Sequence, residues 1–378
     1  MLVGLVIAAA WAEDPSGARP GLGPPVLTWS PVVQLVGGVS APADADTRLF
    51  ASGRVGIEAE RKVLTARLSV RATTAWGPDA EGRGAVTLGE AWARYRPPIS
   101  SALGAELTLG VQPLEFDGGV LVGDDDAWRT AELPLAARAQ LRAVPWTVDI
   151  VSAYAPGAAA REAEVGRTTP FSGHEAHLVR VAAGRDHADT AWEVSGLVLA
   201  LPRAEPDTAR PWTVGSSGGV QLRRIRLGAD AYLQPTGTDL AWFGELRAGW
   251  AFGDEARVVL WGGGDLLSGG PTPAFRRPLA DRRARLGWLG RFDDEGARGG
   301  DGAADAWLRL DATLAPQLRT QLAAHHLWDG AGGALGPELD ATVAWYWSPL
   351  AALRLAAGWA PTSLTPAARA EAVIDVSL

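Results

Sequence analysis

Between Pro337 and Pro361 the chain alternates apolar and polar residues with a period of two, and nothing else in it constrains the fold as tightly. Leu339, Ala341, Val343, Trp345 and Trp347 hold one set of positions, and Glu338, Asp340, Thr342, Ala344 and Tyr346 hold the other. A strand points successive side chains to opposite faces, so this stretch is a ribbon with one apolar and one polar side. Ser348, Pro349 and Leu350 turn the chain. Leu353, Leu355, Ala357 and Trp359 then repeat the apolar set, with Arg354 opposite. A hairpin of this kind serves a soluble sandwich as well as a membrane barrel.

The pattern recurs along the whole chain. It marks strands at about 26–40, 48–60, 63–76, 85–96, 105–116, 132–143, 146–154, 175–185, 190–201, 213–222, 225–234, 239–252 and 256–263. A C-terminal set follows at about 305–315, 318–328, 338–347, 352–360 and 369–378. Around Trp242 the apolar set is Leu240, Trp242, Leu246, Ala248 and Trp250, against Glu245 and Arg247. Spans of about ten residues suit tilted strands crossing a bilayer.

Connector lengths carry a second pattern. Arg61-Lys62, Val144-Pro145 and Arg223-Arg224 are short; 41–47, 77–84, 117–131 and 155–174 are long. Outer-membrane barrels have short turns at one rim and long loops at the other, and a soluble sandwich has no reason to alternate this way. The 97–104 connector is longer than the short class. Counting from both ends agrees if 264–304 is one external excursion, which gives about 18 strands; if 283–292 also spans, the count is 20. The expected fold is an all-β, transmembrane, antiparallel up-and-down β-barrel over 26–378. The alternative is a periplasmic or surface carbohydrate-binding β-sandwich without channel activity.

Composition agrees with a cell-envelope protein. Of 378 residues 47% are hydrophobic, yet no apolar run is long enough for a membrane helix. Many of the 17 Trp fall at strand ends, where an interfacial girdle would place them. The absence of Cys excludes disulfides and thiolate metal sites, and the net charge of -8 argues against a nucleic-acid binder. Leu2 to Ala10 reads as the apolar core of a signal peptide, with Ala10-Trp11-Ala12 as cleavage site. Residues 1–12 are then the signal and 13–25 a Pro/Gly-rich leader. The basic start of such a signal is missing, which implies a natural start further upstream. A buried first strand is the other reading.

Enzyme chemistry finds no support in the motifs. His174 and His177 are three apart, which on a strand sends them to opposite faces, and His325 and His326 face opposite ways for the same reason. There is no G-x-S-x-G elbow. The acidic runs Asp124 to Asp126 and Asp293 to Glu295 read as solvated loop tips or divalent bridges to lipopolysaccharide. No catalytic group, metal or cofactor is expected. The polar faces carry Arg67, Arg71, Arg138, Arg142, Arg226, Arg247, Arg309, Arg319 and Arg354 against a near-equal number of carboxylates, so cross-strand ion pairs are expected. The densest basic run is in the long connector, with Arg276, Arg277, Arg282, Arg283, Arg285 and Arg291. Folded over the mouth, Arg282, Arg283 and Arg285 would offer carboxylates paired donors in a fixed fork; the alternatives are a solvated loop or a patch on lipopolysaccharide phosphates.

Three segments resemble the alginate-export family of outer-membrane porins. Leu109-Gly-Val-Gln-Pro-Leu-Glu-Phe-Asp-Gly-Gly-Val-Leu-Val-Gly-Asp-Asp-Asp-Ala-Trp128-Arg-Thr is similar to the family's G-R-Q-x-L-x-F-G-D-x-R-L-V-G-x-x-x-W-R-N. His325-His-Leu-Trp328 is the second. Leu335-Gly-Pro-Glu-Leu-Asp340, with the Trp345 and Trp359 strands, resembles the L-G-x-E-I-D signature and closing strand. Gln112, Gly123, Trp128, Glu338 and Asp340 carry the match. In that family the barrel is a passive, often basic-lined conduit, so the resemblance implies a pore but not alginate as its solute. Together with the signal peptide, the alternation and the connector parity, the expectation is a monomeric outer-membrane channel for diffusion or export of small or oligomeric anionic, uronate-like solutes, in contact with outer-membrane lipid, lipopolysaccharide, the barrel-assembly machinery and an acidic saccharide or other small anion.

Overall fold

The computed structural model describes residues 28–41, 48–76, 84–100, 102–117, 134–154, 175–187, 190–202, 212–236, 239–253, 257–269, 275, 302–330, 332–348, 351–360 and 367–377. The strands are β1 (Thr28–Ala41), β2 (Arg48–Arg61), β3 (Leu64–Trp76), β4 (Gly84–Tyr95), β5 (Gly104–Val111), β6 (Leu135–Ala143), β7 (Trp146–Tyr154), β8 (Glu175–His187) and β9 (Thr190–Ala200). They continue as β10 (Trp212–Leu222), β11 (Ile225–Thr236), β12 (Asp239–Phe252), β13 (Val258–Leu267), β14 (Ala303–Ala315), β15 (Leu318–Asp329), β16 (Ala334–Ser348), β17 (Ala351–Ala360) and β18 (Ala367–Ser377). Each pairs antiparallel with the next, and β1 pairs with both β2 and β18, so the 18 described strands form one closed up-and-down sheet. Closure leaves no edge whose backbone groups would stand unpaired. The described strands make one sheet only, which excludes the sandwich alternative.

The alternation sorts the side chains inside out relative to a water-soluble protein. Val86 is 75% exposed, Leu246 71% and Leu308 60%, whereas Asp149 and Asp265 are 1% exposed and Glu338 0%. Along β12, Leu240, Trp242, Leu246 and Trp250 are exposed while Ala241, Phe243 and Glu245 are buried, the division expected from the sequence. Apolar surface on this scale is stable only against another apolar phase, and a barrel's outer face meets the hydrocarbon of a bilayer. Exposed aromatics mark both rims of the belt. Tyr154, Trp212, Trp242 and Trp359 stand toward the long connectors, and Tyr95, Trp146, Trp192 and Trp250 toward the short turns.

The short turns are shaped by individual residues. Lys62 and Arg223 adopt φ of 50° and 52°, the left-handed conformation that a two-residue hairpin needs to match strand twist. In β4 a bulge intervenes: Leu68 faces Ala91 and Val70 faces Leu88, so Ser69 stands opposite both Gly89 and Glu90. The Glu90 amide donates to Ser69 Oγ at 2.7 Å, and the extra residue turns the Glu90 carboxylate inward.

Several expected boundaries move. Strand 105–116 ends at Val111, because Pro113 has no amide to give the ladder and Gly110 has φ 125°. Strand 132–143 begins at Leu135, after Pro134. The expected 264–304 excursion is shorter at both ends, since β13 runs to Leu267 and β14 starts at Ala303. Residues 1–25 and the 283–292 stretch lie outside the described residues.

Candidate functional site

Segment 112–117 leaves the wall after β5 and enters the barrel. Gln112, buried, donates Nε2 to the carbonyl of Ala136 at 3.0 Å and anchors the departure. Leu114 and Phe116 then pack into an apolar cluster on the inner face, with Val151, Leu178, Leu199, Leu201, Tyr232 and Phe243. Burying two side chains of this size contributes roughly 2 kcal/mol each. Phe275, from the connector between β13 and β14, joins the same cluster and lies 5.9 Å from the Phe243 ring. The lumen is thus partly filled near the long-connector rim.

At its tip the segment becomes polar. Asp117, at φ 49°, accepts from Arg180 Nε at 2.8 Å and Ser195 Oγ at 2.7 Å. Arg138 stacks over the Phe116 ring at 5.1 Å and donates from Nη2 to Asp149 Oδ1 at 2.7 Å. Gln140 Nε2 supplies a further donor to that oxygen at 2.8 Å. Below the segment is an open recess of about 460 Å³, lined among others by Glu115, Arg138, Arg142, Arg180 and Glu193. Arg142 is exposed here and makes no salt bridge among the described residues.

A second inner surface runs across β11 to β14 in horizontal rows set by strand register. The row nearest the long connectors is Tyr232, Phe243, Leu267 and Ala303. Below it four carboxylates stand side by side: Asp230 opposite Glu245, Glu245 opposite Asp265, Asp265 opposite Asp305. Like charges so placed repel. Partners from the next row offset this, with the Arg247 guanidinium reaching Glu245 Oε1 at 2.7 Å and Asp230 Oδ2 at 3.0 Å from Nη1, and the His325 ring placing Nδ1 2.7 Å from Asp305 Oδ2. That next row is Gly228, Arg247, Gly263, Trp307 and His325. The lowest is Arg226, Gly249, Trp261 and Arg309.

Of the residues singled out from the sequence, Arg67, Arg71, Arg138, Arg142, Arg247 and Arg319 lie on the inner face. Arg67 is 3.3 Å from Glu90 and 3.7 Å from Glu58; Arg71 is buried opposite Arg54; Arg319 lies over Tyr346 at 5.4 Å. They do not form one constellation but stand apart around the wall, Arg67, Arg138 and Arg247 in separate ion-pair groups. Arg282, Arg283 and Arg285 lie outside the described residues, as do Gly123, Trp128 and the two acidic runs. Glu338 faces inward opposite His325, and Asp340 Oδ2 is 3.6 Å from His325 Nε2. His326 points outward and packs on Trp328 at 4.4 Å, so the two adjacent imidazoles are separated by the wall.

Sequence reasoning missed Glu90, Asp117 and Arg180, and the inward-facing Trp92, Trp261 and Trp307. Trp92 Nε1 donates to Glu90 Oε2 at 2.8 Å. Parity alone places Trp261 on the face of Asp265, so that signal was present for Trp261 but outweighed by the expectation of an aromatic girdle.

The fold is that of outer-membrane channel proteins. The structure is similar to Acinetobacter baumannii OccAB4, at 8% identity over 95% of this chain and 100% of that one, with a TM-score of 0.60. It is similar to Pseudomonas aeruginosa OccK7 (OpdD), at 12% identity over 93% and 98% of the two chains, with a TM-score of 0.58. P. aeruginosa OpdK, solved with vanillate, matches at 11% identity over 93% and 98%, with a TM-score of 0.54. No known family matches the sequence. No curated protein matches it either. These likenesses support the outer-membrane barrel but not the narrower alginate-export resemblance.

Proposed function

We propose that the protein is an outer-membrane channel of a Gram-negative bacterium, passing small solutes by diffusion with a preference for anions such as carboxylates and uronates. The observation that carries this reading is a closed barrel with an apolar belt outside and a charged inner face, narrowed from within by segment 112–117. Such a wall keeps water and ions inside and hydrocarbon outside, and a partial constriction lets side chains meet the permeant. Arg142 and Arg226 favour anions, because both face inward without a salt bridge among the described residues. The barrel neighbours are channels, among them one solved with vanillate, which is in keeping with transport and not catalysis. Lipopolysaccharide and the barrel-assembly machinery as partners, a monomeric state and an exported N-terminus belong to the same proposal.

The test is reconstitution. Detergent-extracted protein that migrates faster unheated than boiled, inserts into planar bilayers in discrete conductance steps, and shows a reversal potential displaced toward that of chloride in a KCl gradient is the expected result. Recovery in the soluble periplasmic fraction, or bilayers without conductance steps, would overturn the channel.

A further inference from the structure

Two groups of strand glycines differ in what fills the space above them. On the inner face Tyr232 lies over Gly215, Arg247 over Gly228, Trp261 over Gly249 and Trp307 over Gly263. On the outer face Gly196, Gly218 and Gly244 carry nothing comparable. A Cβ at position 244 would meet no atom within 4 Å, and one at 196 or 218 only ordinary contacts, the shortest being 3.4 Å. None of the three has a positive φ, so neither backbone conformation nor packing within the protein calls for glycine there. Glycine weakens a strand, and often marks a place where a ligand or another backbone comes close. Register joins the three into one patch. Gly196, Ser216, Ala231 and Gly244 form one outward row, and Gly218 and Ala229 stand between Val194 and Leu246 in the row nearer the short turns. Val194 and Leu246 are exposed, so the small residues floor a shallow valley in the apolar belt across β9 to β12.

Cations border the short-turn end of the same arc. Arg185 and His187 close β8 on the parity of the outward Val179 and Val181, whereas Asp186 takes the parity of the inward Arg180. Arg185 is the register partner of Trp192, an exposed aromatic of this rim. Arg223 is exposed in the β10–β11 turn. Neither arginine makes a salt bridge among the described residues, and no described carboxylate of this rim takes the outward parity. His187 pairs with Thr190, and Thr190 with Leu222, so the ends of β8 and β10 are two strand spacings apart, roughly 10 Å. Gly218 is five residues up β10 from Arg223. That is roughly 17 Å along the strand, close to half of a hydrocarbon core about 30 Å thick.

We propose that the outer face of β8 to β12 seats an anionic phospholipid of the periplasmic leaflet, its phosphate on Arg185 and Arg223 and an acyl chain along Gly218 and Ala229. Outer-membrane barrels hold their short turns on the periplasmic side, and Trp192 marks headgroup depth there. Guanidinium and phosphate meet as a charge-assisted pair. A second copy of the chain fits the valley less well. A two-fold contact would set Arg185 and Arg223 beside their own copies, and like charges repel. The seat depends on the barrel lying in its membrane and not on what the channel conducts.

Native mass spectrometry of the full chain in detergent micelles tests this, with phosphatidylglycerol or phosphatidylethanolamine of identical acyl chains as the titrant. Wild type is compared with the double variant Arg185→Gln, Arg223→Asn, with Gly218→Leu, and with Lys62→Gln, which removes a cation of the same rim in the β2–β3 turn. Heat-modifiable migration verifies that each is folded. Wild type binds phosphatidylglycerol more tightly than phosphatidylethanolamine, and each arginine lost lowers that preference by about fivefold. Gly218→Leu fills the valley and weakens both lipids by roughly threefold, leaving their ratio as it was. Lys62→Gln behaves as wild type. Equal affinity for the two lipids in the wild type, an unchanged ratio in the double variant, or an equal fall in Lys62→Gln overturns the headgroup site. Wild-type affinity for both lipids in Gly218→Leu overturns the chain seat. A wild-type dimer that Gly218→Leu dissociates assigns the valley to a second copy and overturns the lipid.

Discussion

Arg180 Nε donates to Asp117 Oδ1 across 2.8 Å, joining strand β8 to a segment that has left the wall. The same guanidinium gives Nη2 to Glu193 Oε1 at 3.0 Å, so one side chain ties the inserted tip to two neighbouring strands. Asp117→Ala removes the tip's bonds to Arg180 and Ser195 and leaves a part-buried cation short of its nearest partner. Stability falls by about 2 kcal/mol, and single-channel conductance rises as the segment loosens. Unfolding by urea in detergent micelles and bilayer recordings on the same preparation check both; unchanged conductance would place the segment away from the conducting path.

Glu90 is the hub of a second group, with Arg54 Nη1 at 2.7 Å, Arg67 Nε at 3.3 Å and Trp92 Nε1 at 2.8 Å. Glu90→Ala takes the nearest carboxylate from the part-buried Arg54 and Arg67, leaving Arg67 only Glu58 at 3.7 Å, and costs roughly 3 kcal/mol. Glu90→Gln keeps an acceptor for the indole and costs less. Equilibrium unfolding of the three proteins ranks them wild type, Gln, Ala; equal stability of all three would mean that water already solvates the group.

Leu246 tests which phase the outer face meets. On a water-soluble protein an exposed leucine tolerates arginine with little change. Here Leu246 stands mid-strand in the apolar belt, and Leu246→Arg is expected to lose roughly 2–4 kcal/mol in lipid vesicles. Folding equilibria in vesicles measure the loss, and a neutral substitution would contradict the membrane-spanning assignment.

Gly263 is expected to set the bore beside Trp307. A side chain at this position would collide with the Trp307 ring and with the Leu246 carbonyl, so Gly263→Val lifts the indole off the wall. Conductance drops while the barrel still folds. Gly244→Val is the control, because a Cβ at position 244 meets nothing within 4 Å, and its conductance stays that of the wild type.

The period-two alternation and the rhythm of connector lengths determined, without any coordinates, that the chain is an antiparallel barrel of about 18 strands, and which face of each strand carries charge. Both signals are local: face assignment needs only neighbouring residues, and parity needs only the lengths between strands. Leu246 and Glu245 could be sent to opposite faces this way. What no local pattern could supply was stagger. The carboxylates Asp230, Glu245, Asp265 and Asp305 come from four separate strands, and their standing side by side depends on register, which hydrogen bonding between strands sets. The same holds for Trp261 between Arg226 and Arg309, and for Gly249 beneath it. The inward turn of 112–117 was hidden for a different reason. Leu114 and Phe116 continue the apolar alternation as if still in the wall, and only the cavity among β6 to β12, which exists once the barrel has closed, decides that they fill its interior instead of facing lipid.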